Sequence, residues 1–325
     1  TLRIRLPDRA LVTDGAALQV QDDNEQFTTL TVASQKHIGV NFTSAELTMQ
    51  LDDFAERVLK PRISQLASSI DADVATAYKS IFSTVGTPGT TPSTSLVLLQ
   101  GNQKLNEYAS PMNDRYATVN PAANANLVEG MKGFFNPTST ISRQFTAGMM
   151  GTGVLGYDEV NMSQSIGNHT TGSRSTADTI LVNGTVSTQG QSTLSIDGGT
   201  GSATVTVGDV FTVAGVYSVN PQTRQSTGSL QQFVVTAANT ASSGSWTSIA
   251  VSPAMYTSSN ALATIDAFPV DGAAVTFVGA ASTGYPQNLI YQKNAITFAT
   301  ADLLLPQGVD MASRQVHNGI SMRIV

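Results

Sequence analysis

The chain has 325 residues, of which 41% are hydrophobic and only 12% charged, about half the usual charged share. A net charge of −6 argues against chain-wide attraction to nucleic acid or an anionic membrane, and zero cysteines exclude disulfides and thiolate metal sites. No run of about 18 apolar residues and no leader pattern is found, so the chain reads as soluble, with length for two domains or one carrying an insertion.

The chain opens in mid-alternation at Leu2 to Leu6 and closes on a strand-like run, Ile320 to Val325, so further residues are expected beyond both ends. Leu2 to Leu6 and Phe27 to Val32 flank a polar stretch with an acidic tip at Asp22, Asp23 and Glu25. This predicts an extended β-hairpin. Spacing alone fits a surface loop and an arm to a neighbouring subunit equally well.

Thr43-Ser44-Ala45-Glu46 matches a capping box. Leu47, Leu51, Phe54, Val58, Ile63, Leu66 and Ile70 follow at mostly three- and four-residue steps, the apolar stripe of a long helix with Arg57 and Arg62 mainly off it. Pro61 should kink or split that helix. Val74, Tyr78, Ile81 and Phe82 extend the helical spacing. A Pro/Gly/Thr loop from Val85 to Thr94 should end in a helix cap. Leu96 to Tyr108 and Ala125 to Phe135 are the next helices, with Pro111 and Pro121 as punctuation between them.

Composition then shifts. From 171 to 290 the charges are Arg174, Asp178, Asp197, Asp209, Arg224, Asp266 and Asp271, in a stretch dense in Ser, Thr, Gly and Val. Strand-like runs are Thr179 to Val182, Ala203 to Val207, Val210 to Val213, Gln232 to Thr236, Thr247 to Val251 and Ala274 to Val278. Gly198-Gly199, Gly208-Asp209, Ser242-Ser243-Gly244 and Asp271-Gly272 are the turns. This spacing predicts a small β-barrel or sandwich. Longer amphipathic runs return at Leu289 to Phe298. An all-β module inserted into an α/β body accounts for both transitions.

Chemical motifs are weak. Gly151-Thr-Gly153-Val-Leu-Gly156 fits a dinucleotide fingerprint, but Phe145 to Met150 reads as a helix end, so a flexible glycine turn is expected. His37, His169 and His317 lie far apart in sequence and read as solvent-facing or core residues rather than metal ligands. Asp197-Gly-Gly-Thr-Gly-Ser lacks the acidic position and the repetition of a calcium-binding glycine repeat. The four Asn-x-Ser/Thr matches are expected by chance in such a composition. Asp22-Asp23 and Asp52-Asp53 are neighbours that point apart on a strand or helix, which suits a solvated face or an intersubunit ion pair. No catalytic constellation, cofactor site or metal site emerges.

Three stretches resemble one family. Phe42 to Pro61, Gly208 to Phe233 (through Phe211-Thr-Val-Ala-Gly215-Val-Tyr217 and Gln231-Gln232-Phe233) and Tyr285 to Ile290 leading into Ala301-Asp302-Leu303-Leu304-Leu305-Pro306 look like the insertion-domain-bearing coat proteins of tailed phages, typified by short-tailed phages of Salmonella. The resemblance implies an α+β chain with the Hong Kong ninety-seven-type capsid fold and an inserted β-barrel. Residues 1–90 would hold the extended loop (8–26) and the peripheral domain with its spine helix (44–70). Residues 91–170 would be mainly axial domain, 171–284 the inserted barrel, and 285–325 the return to the body. It also implies a homo-oligomeric icosahedral shell of hexamers and pentamers, with scaffolding and portal partners. That shell would enclose double-stranded DNA without sequence-specific binding, with assembly in the bacterial host cytoplasm and no membrane. Residues 8–26 contain no Lys, so the Lys–Asn cross-link of some relatives has no donor there and assembly is expected to be noncovalent. Charge and position make Asp22, Asp23, Glu25, Arg57, Arg62 and Arg224 the candidate intersubunit contacts. Two rivals are a host-derived encapsulating compartment of the same shell fold and a β-rich surface adhesin.

Overall fold

The computed structural model describes residues 2–18, 20, 25–32, 34–39, 60–131, 148, 150–175, 178–309, 312–317 and 320–325. Residues 1–67 with 296–325 make one compact unit and residues 68–295 another.

In the first unit, β1 (Leu2–Arg5) pairs antiparallel with β2 (Phe27–Leu30), Leu2 opposite Leu30 and Arg5 opposite Phe27. The ribbon is tied by side chains across it: the Arg3 guanidinium lies 3.6 Å from the Phe27 ring centre, and Arg5 bonds Glu25 at 2.9 Å. Between the strands, Val12, Leu18 and Val20 stand 80%, 89% and 87% exposed.

The capping box at 43–46 and the stripe from Leu47 to Val58 lie outside the described residues. Described helix α1 (Lys60–Ala75) carries Pro61 as its second residue, so the kink expected there turns on residues outside this set. Helical spacing fails to carry through to Phe82. Thr76–Ser80 tighten into a 3-10 turn and Ile81 is extended. Rings decide this stretch: Tyr78 stands edge-on to His169 at 5.9 Å and Phe82 edge-on to Tyr108 at 5.3 Å.

Helix α2 (Ser95–Glu107) follows, with Thr94 in the cap position but making no side-chain cap bond. After β3 (Arg115–Val119), helix α3 (Pro121–Gly130) starts at Pro121 rather than at Ala125. Asn120 Oδ1 accepts the Ala123 N–H at 2.7 Å, and Pro121 fills the first turn, where its missing N–H costs nothing. The expected punctuation is therefore a helix start.

The glycine run forms a β-hairpin, while most of the helix end expected at 145–150 lies outside the described residues. Gly151 and Gly153 lie in β4 (Gly151–Val154), and Gly156 turns the chain into β5 (Tyr157–Met162). Strand β6 (Asn168–Thr170) leads on to a six-stranded sheet.

That sheet is built from β7 (Leu181–Val182), β8 (Gln191–Asp197), β10 (Val210–Val219), β11 (Ser226–Val235), β13 (Trp246–Met255) and β14 (Val275–Phe277), in the order β14-β10-β11-β13-β8-β7. Two-residue strands β9 (Thr204–Val205) and β12 (Asn239–Thr240) pair beside it. The Leu181–Ala274 bridge, with Val275 N–H bonding the Ile180 carbonyl at 2.9 Å, brings the sheet's edges together into a nearly closed barrel. Trp246, Phe211, Phe233, Ile196, Ile249 and Ile265 fill it. Trp246 Nε1 donates to the Ala203 carbonyl at 3.1 Å. A Cβ on Gly199 would sit 2.3 Å from the Trp246 ring, so only glycine fits there.

The chain leaves through β15 (Gly284–Pro286), which pairs antiparallel with β6, Pro286 opposite Asn168. The inbound and outbound segments thus lie side by side in a two-stranded neck. Strand β16 (Leu289–Gln292) completes the sheet β16-β3-β5-β4, with β3 and β5 parallel. Leu98, Ala117, Val119, Leu127, Met150, Tyr157 and Val160 form its core. In the first unit, β17 (Ser313–His317) and β18 (Ile320–Ile324) make a second antiparallel hairpin.

Candidate assembly surfaces and a buried charged centre

The most concentrated polar chemistry lies where the neck meets the barrel. Gly208 and Asp209 form the turn expected from sequence, but the Asp209 side chain is fully buried. Its Oδ1 meets His169 Nε2 of β6 at 2.9 Å. Its Oδ2 accepts from Arg174 at 3.2 Å, from the Gly172 N–H at 3.1 Å and from the Thr206 N–H at 3.0 Å. Burial by itself pushes the Asp209 carboxyl up. The His169 bond, the Arg174 charge and the two backbone donors outweigh that and hold it below the usual carboxylate range. Arg174 is only 3% exposed and lies 4.2 Å from the Phe277 ring centre; burial lowers its pKa, against the nearby Asp209 charge. One buried carboxylate with these donors can hold neck and barrel together, but it has no open face for a substrate.

A second buried cation stabilises the α/β sheet. Arg115 is 2% exposed, and its guanidinium donates to the Pro111 and Ser110 carbonyls at 2.7 Å each and to Asn102 Oδ1. Beside it, burial raises the Tyr157 hydroxyl to about 12, and that hydroxyl donates to the Leu98 carbonyl at 2.6 Å.

Three of the contacts expected from charge and position lie among the described residues. Glu25 holds Arg5 on the hairpin, both well exposed. Arg62 donates to the Gly39 carbonyl at 2.8 Å. Arg224 sits in the β10–β11 turn with φ 55°, in a loop where Asn220 Oδ1 caps the Gln222 and Thr223 N–H groups. Asp22, Asp23 and Arg57 lie outside the described residues. Asp209, His169, Arg174 and Arg115 were missed, and no short-range signal marks them. His169 stands 40 positions from Asp209, and Arg174 stands 35.

Among the described residues, no group of three or more His, Cys, Asp or Glu side chains is placed to hold a metal ion, and no helix is long and apolar enough to cross a membrane. Large apolar side chains are left open instead: besides the hairpin residues, Leu304 is 82% exposed, with Leu96 and Met112 also open.

No curated protein sequence matches the chain. A solved structure described as "CUS-3 coat protein I-domain" matches at 28% identity, over 31% of this chain and 96% of that one, with a TM-score of 0.24. The profile of the family described as "P22 coat protein - gene protein 5" matches residues 13–325, which takes in both compact units. The chain therefore belongs to the P22 coat protein family, and it is a structural, shell-forming major capsid protein of a bacteriophage.

Proposed function

We propose that this capsid protein builds its shell on the Hong Kong ninety-seven-type plan, with residues 171–284 as an inserted barrel domain. The observation that carries this reading is the paired neck. A mixed helix–strand body is interrupted after β6, a nearly closed barrel follows, and the body sheet resumes through β15 and β16. An inserted module needs such adjacent crossings, because its removal must leave the host fold able to close.

On this plan residues 1–90 supply the extended loop and peripheral domain, 91–170 the axial domain, and 285–325 the return. The loop overlaps a neighbour through its exposed Val12, Leu18 and Val20, with Asp22, Asp23 and Glu25 as charged contacts. Arg57 and Arg62 act from the spine helix and Arg224 from the barrel. Hexamers and pentamers close around double-stranded DNA, with scaffolding and portal proteins as partners, in the bacterial cytoplasm. The low charge limits the desolvation cost of so many contacts.

Electron microscopy of the full-length protein, produced alone and with its neighbouring genes, tests the reading. Closed shells with five- and six-fold capsomers are expected. A clean monomer under both conditions would overturn it.

A further inference from the structure

The neck is two three-residue strands, and a ribbon that short twists easily. The barrel meets the body at a second line of contact. Gln232, on β11, sets its side-chain amide against the backbone of Thr84. Its Oε1 accepts the Thr84 N–H at 2.8 Å, and its Nε2 donates to the Thr84 carbonyl and to Oγ1 at 3.1 Å each. A primary amide carries the same donor and acceptor as a peptide unit, so one side chain acts here as a strand partner would.

Its neighbours extend the contact. Gln231, fully buried, meets the Tyr108 hydroxyl at 3.4 Å and donates to the Gln232 carbonyl at 2.7 Å. Asn220, at the far end of the β10–β11 hairpin, donates to the Glu107 carbonyl at 3.3 Å. The hairpin therefore lies along one strip of the body, Phe82 to Thr84 and Glu107 to Tyr108. Gln232 is paired with Thr212 in the barrel ladder, yet its three side-chain bonds all leave the barrel. Phe233 and Val235 point into the barrel core, so alternation along β11 sends the Gln232 side chain out toward the body.

We propose that Gln232 is a positioning residue for shell assembly. Its clasp on Thr84 is the second fixed point that, with the neck, sets the barrel's orientation on the body, and that orientation governs how subunits join. The inference rests on the reading of residues 171–284 as an inserted domain of a shell protein.

The test uses the full-length chain produced with its neighbouring genes. Trp246, the one tryptophan in the sequence, is fully buried in the barrel, so its emission reports barrel packing independently of orientation. Gln232→Ala should leave that emission unchanged. It should speed amide exchange in β6 and β15 by about tenfold, as expected when three side-chain bonds are exchanged for bonds to water and the net loss is roughly that of one to two hydrogen bonds. Uniform closed shells should give way to irregular or open assemblies. Thr84→Pro removes the same N–H from the body side with the barrel sequence intact, and should act alike. Uniform shells from Gln232→Ala with wild-type exchange rates would overturn the clasp. A red-shifted Trp246 emission in that variant would make Gln232 a barrel-stability residue and also overturn it, unless Thr84→Pro gave aberrant shells with native emission. A wild-type chain that made no shell would sink the underlying reading, a failure visible before any variant is compared.

Discussion

Asp209 has four protein donors where an exposed carboxylate would have water, and its stability effect follows from that exchange. Its folded pKa lies below the ordinary value of about 3.9. A carboxyl depressed in this way contributes its full stability above the unfolded pKa and loses it as pH falls through the lower folded value. The barrel should therefore hold at neutral pH and lose stability progressively below about pH 4. Asp209→Asn leaves Arg174 buried without its counter-charge, and should cost about 3 kcal/mol or more at neutral pH while flattening that acid limb. Urea melts followed by Trp246 emission at pH 7 and pH 3 measure both effects. Equal destabilisation of wild type and variant on acidification would exclude Asp209 as the source. Sequence could locate this residue only as a turn, because a Gly-Asp pair looks the same whether its carboxylate faces water or a cluster assembled from positions 35 and 40 residues away.

At the scale of elements, a local signal is decisive where one rule governs and ambiguous where two compete. Pro121 illustrates the second case. Proline separates helices when it stands inside one and opens a helix when it stands in the first turn, and the residue before it decides. Asn120 supplies the cap here, and its own backbone N–H is taken by Asn288 Oδ1 at 2.8 Å, which ties the start of α3 to the segment between β15 and β16. Asn120→Ala should cost about 1–2 kcal/mol, read as a lower midpoint in thermal melts, whereas Asn120→Asp should recover most of the cap. Strand β8 was not anticipated because Gln191, Ser192, Thr193 and Ser195 dilute its apolar positions, although Leu194 and Ile196 alternate inward. Each of the six expected runs overlaps a strand, but β7, β9 and β14 are shorter than the runs that marked them, whereas β10, β11 and β13 each reach ten residues because cross-strand pairing rewards continuation that local hydrophobicity does not mark.

For the whole molecule, a Ser/Thr-rich, charge-poor middle pointed to a β-module in a mixed body, and the family match agrees with the shell function that the resemblance of three stretches implied. What separates a shell subunit from any other two-part protein is the apolar surface it leaves for neighbours, and burial cannot be read from residue type alone. Leu18 and Leu98 are the same side chain, one 89% and the other 3% exposed. Replacing residues 171–283 by a two-residue turn should leave a body whose α/β core still forms, since Leu98, Ala117, Leu127 and Val160 pack without the barrel. It should nevertheless lose the His169–Asp209 and Thr84–Gln232 ties, and with them normal shell yield. Sedimentation of assembled particles checks this. Wild-type shells from the deleted chain would show that the barrel is dispensable for assembly.

The neck has one more consequence. Antiparallel neighbours in a ribbon stand only about 5 Å apart, so the body sees the whole barrel as a single narrow junction rather than as a hundred residues of chain. Any other fold whose two ends lie that close could be spliced in at Thr170 and Gly284 without stretching the host. The coat subunit thus carries a ready-made grafting point, and a foreign domain placed there would have to supply its own partners for His169 and Thr84 if the subunit is still to assemble.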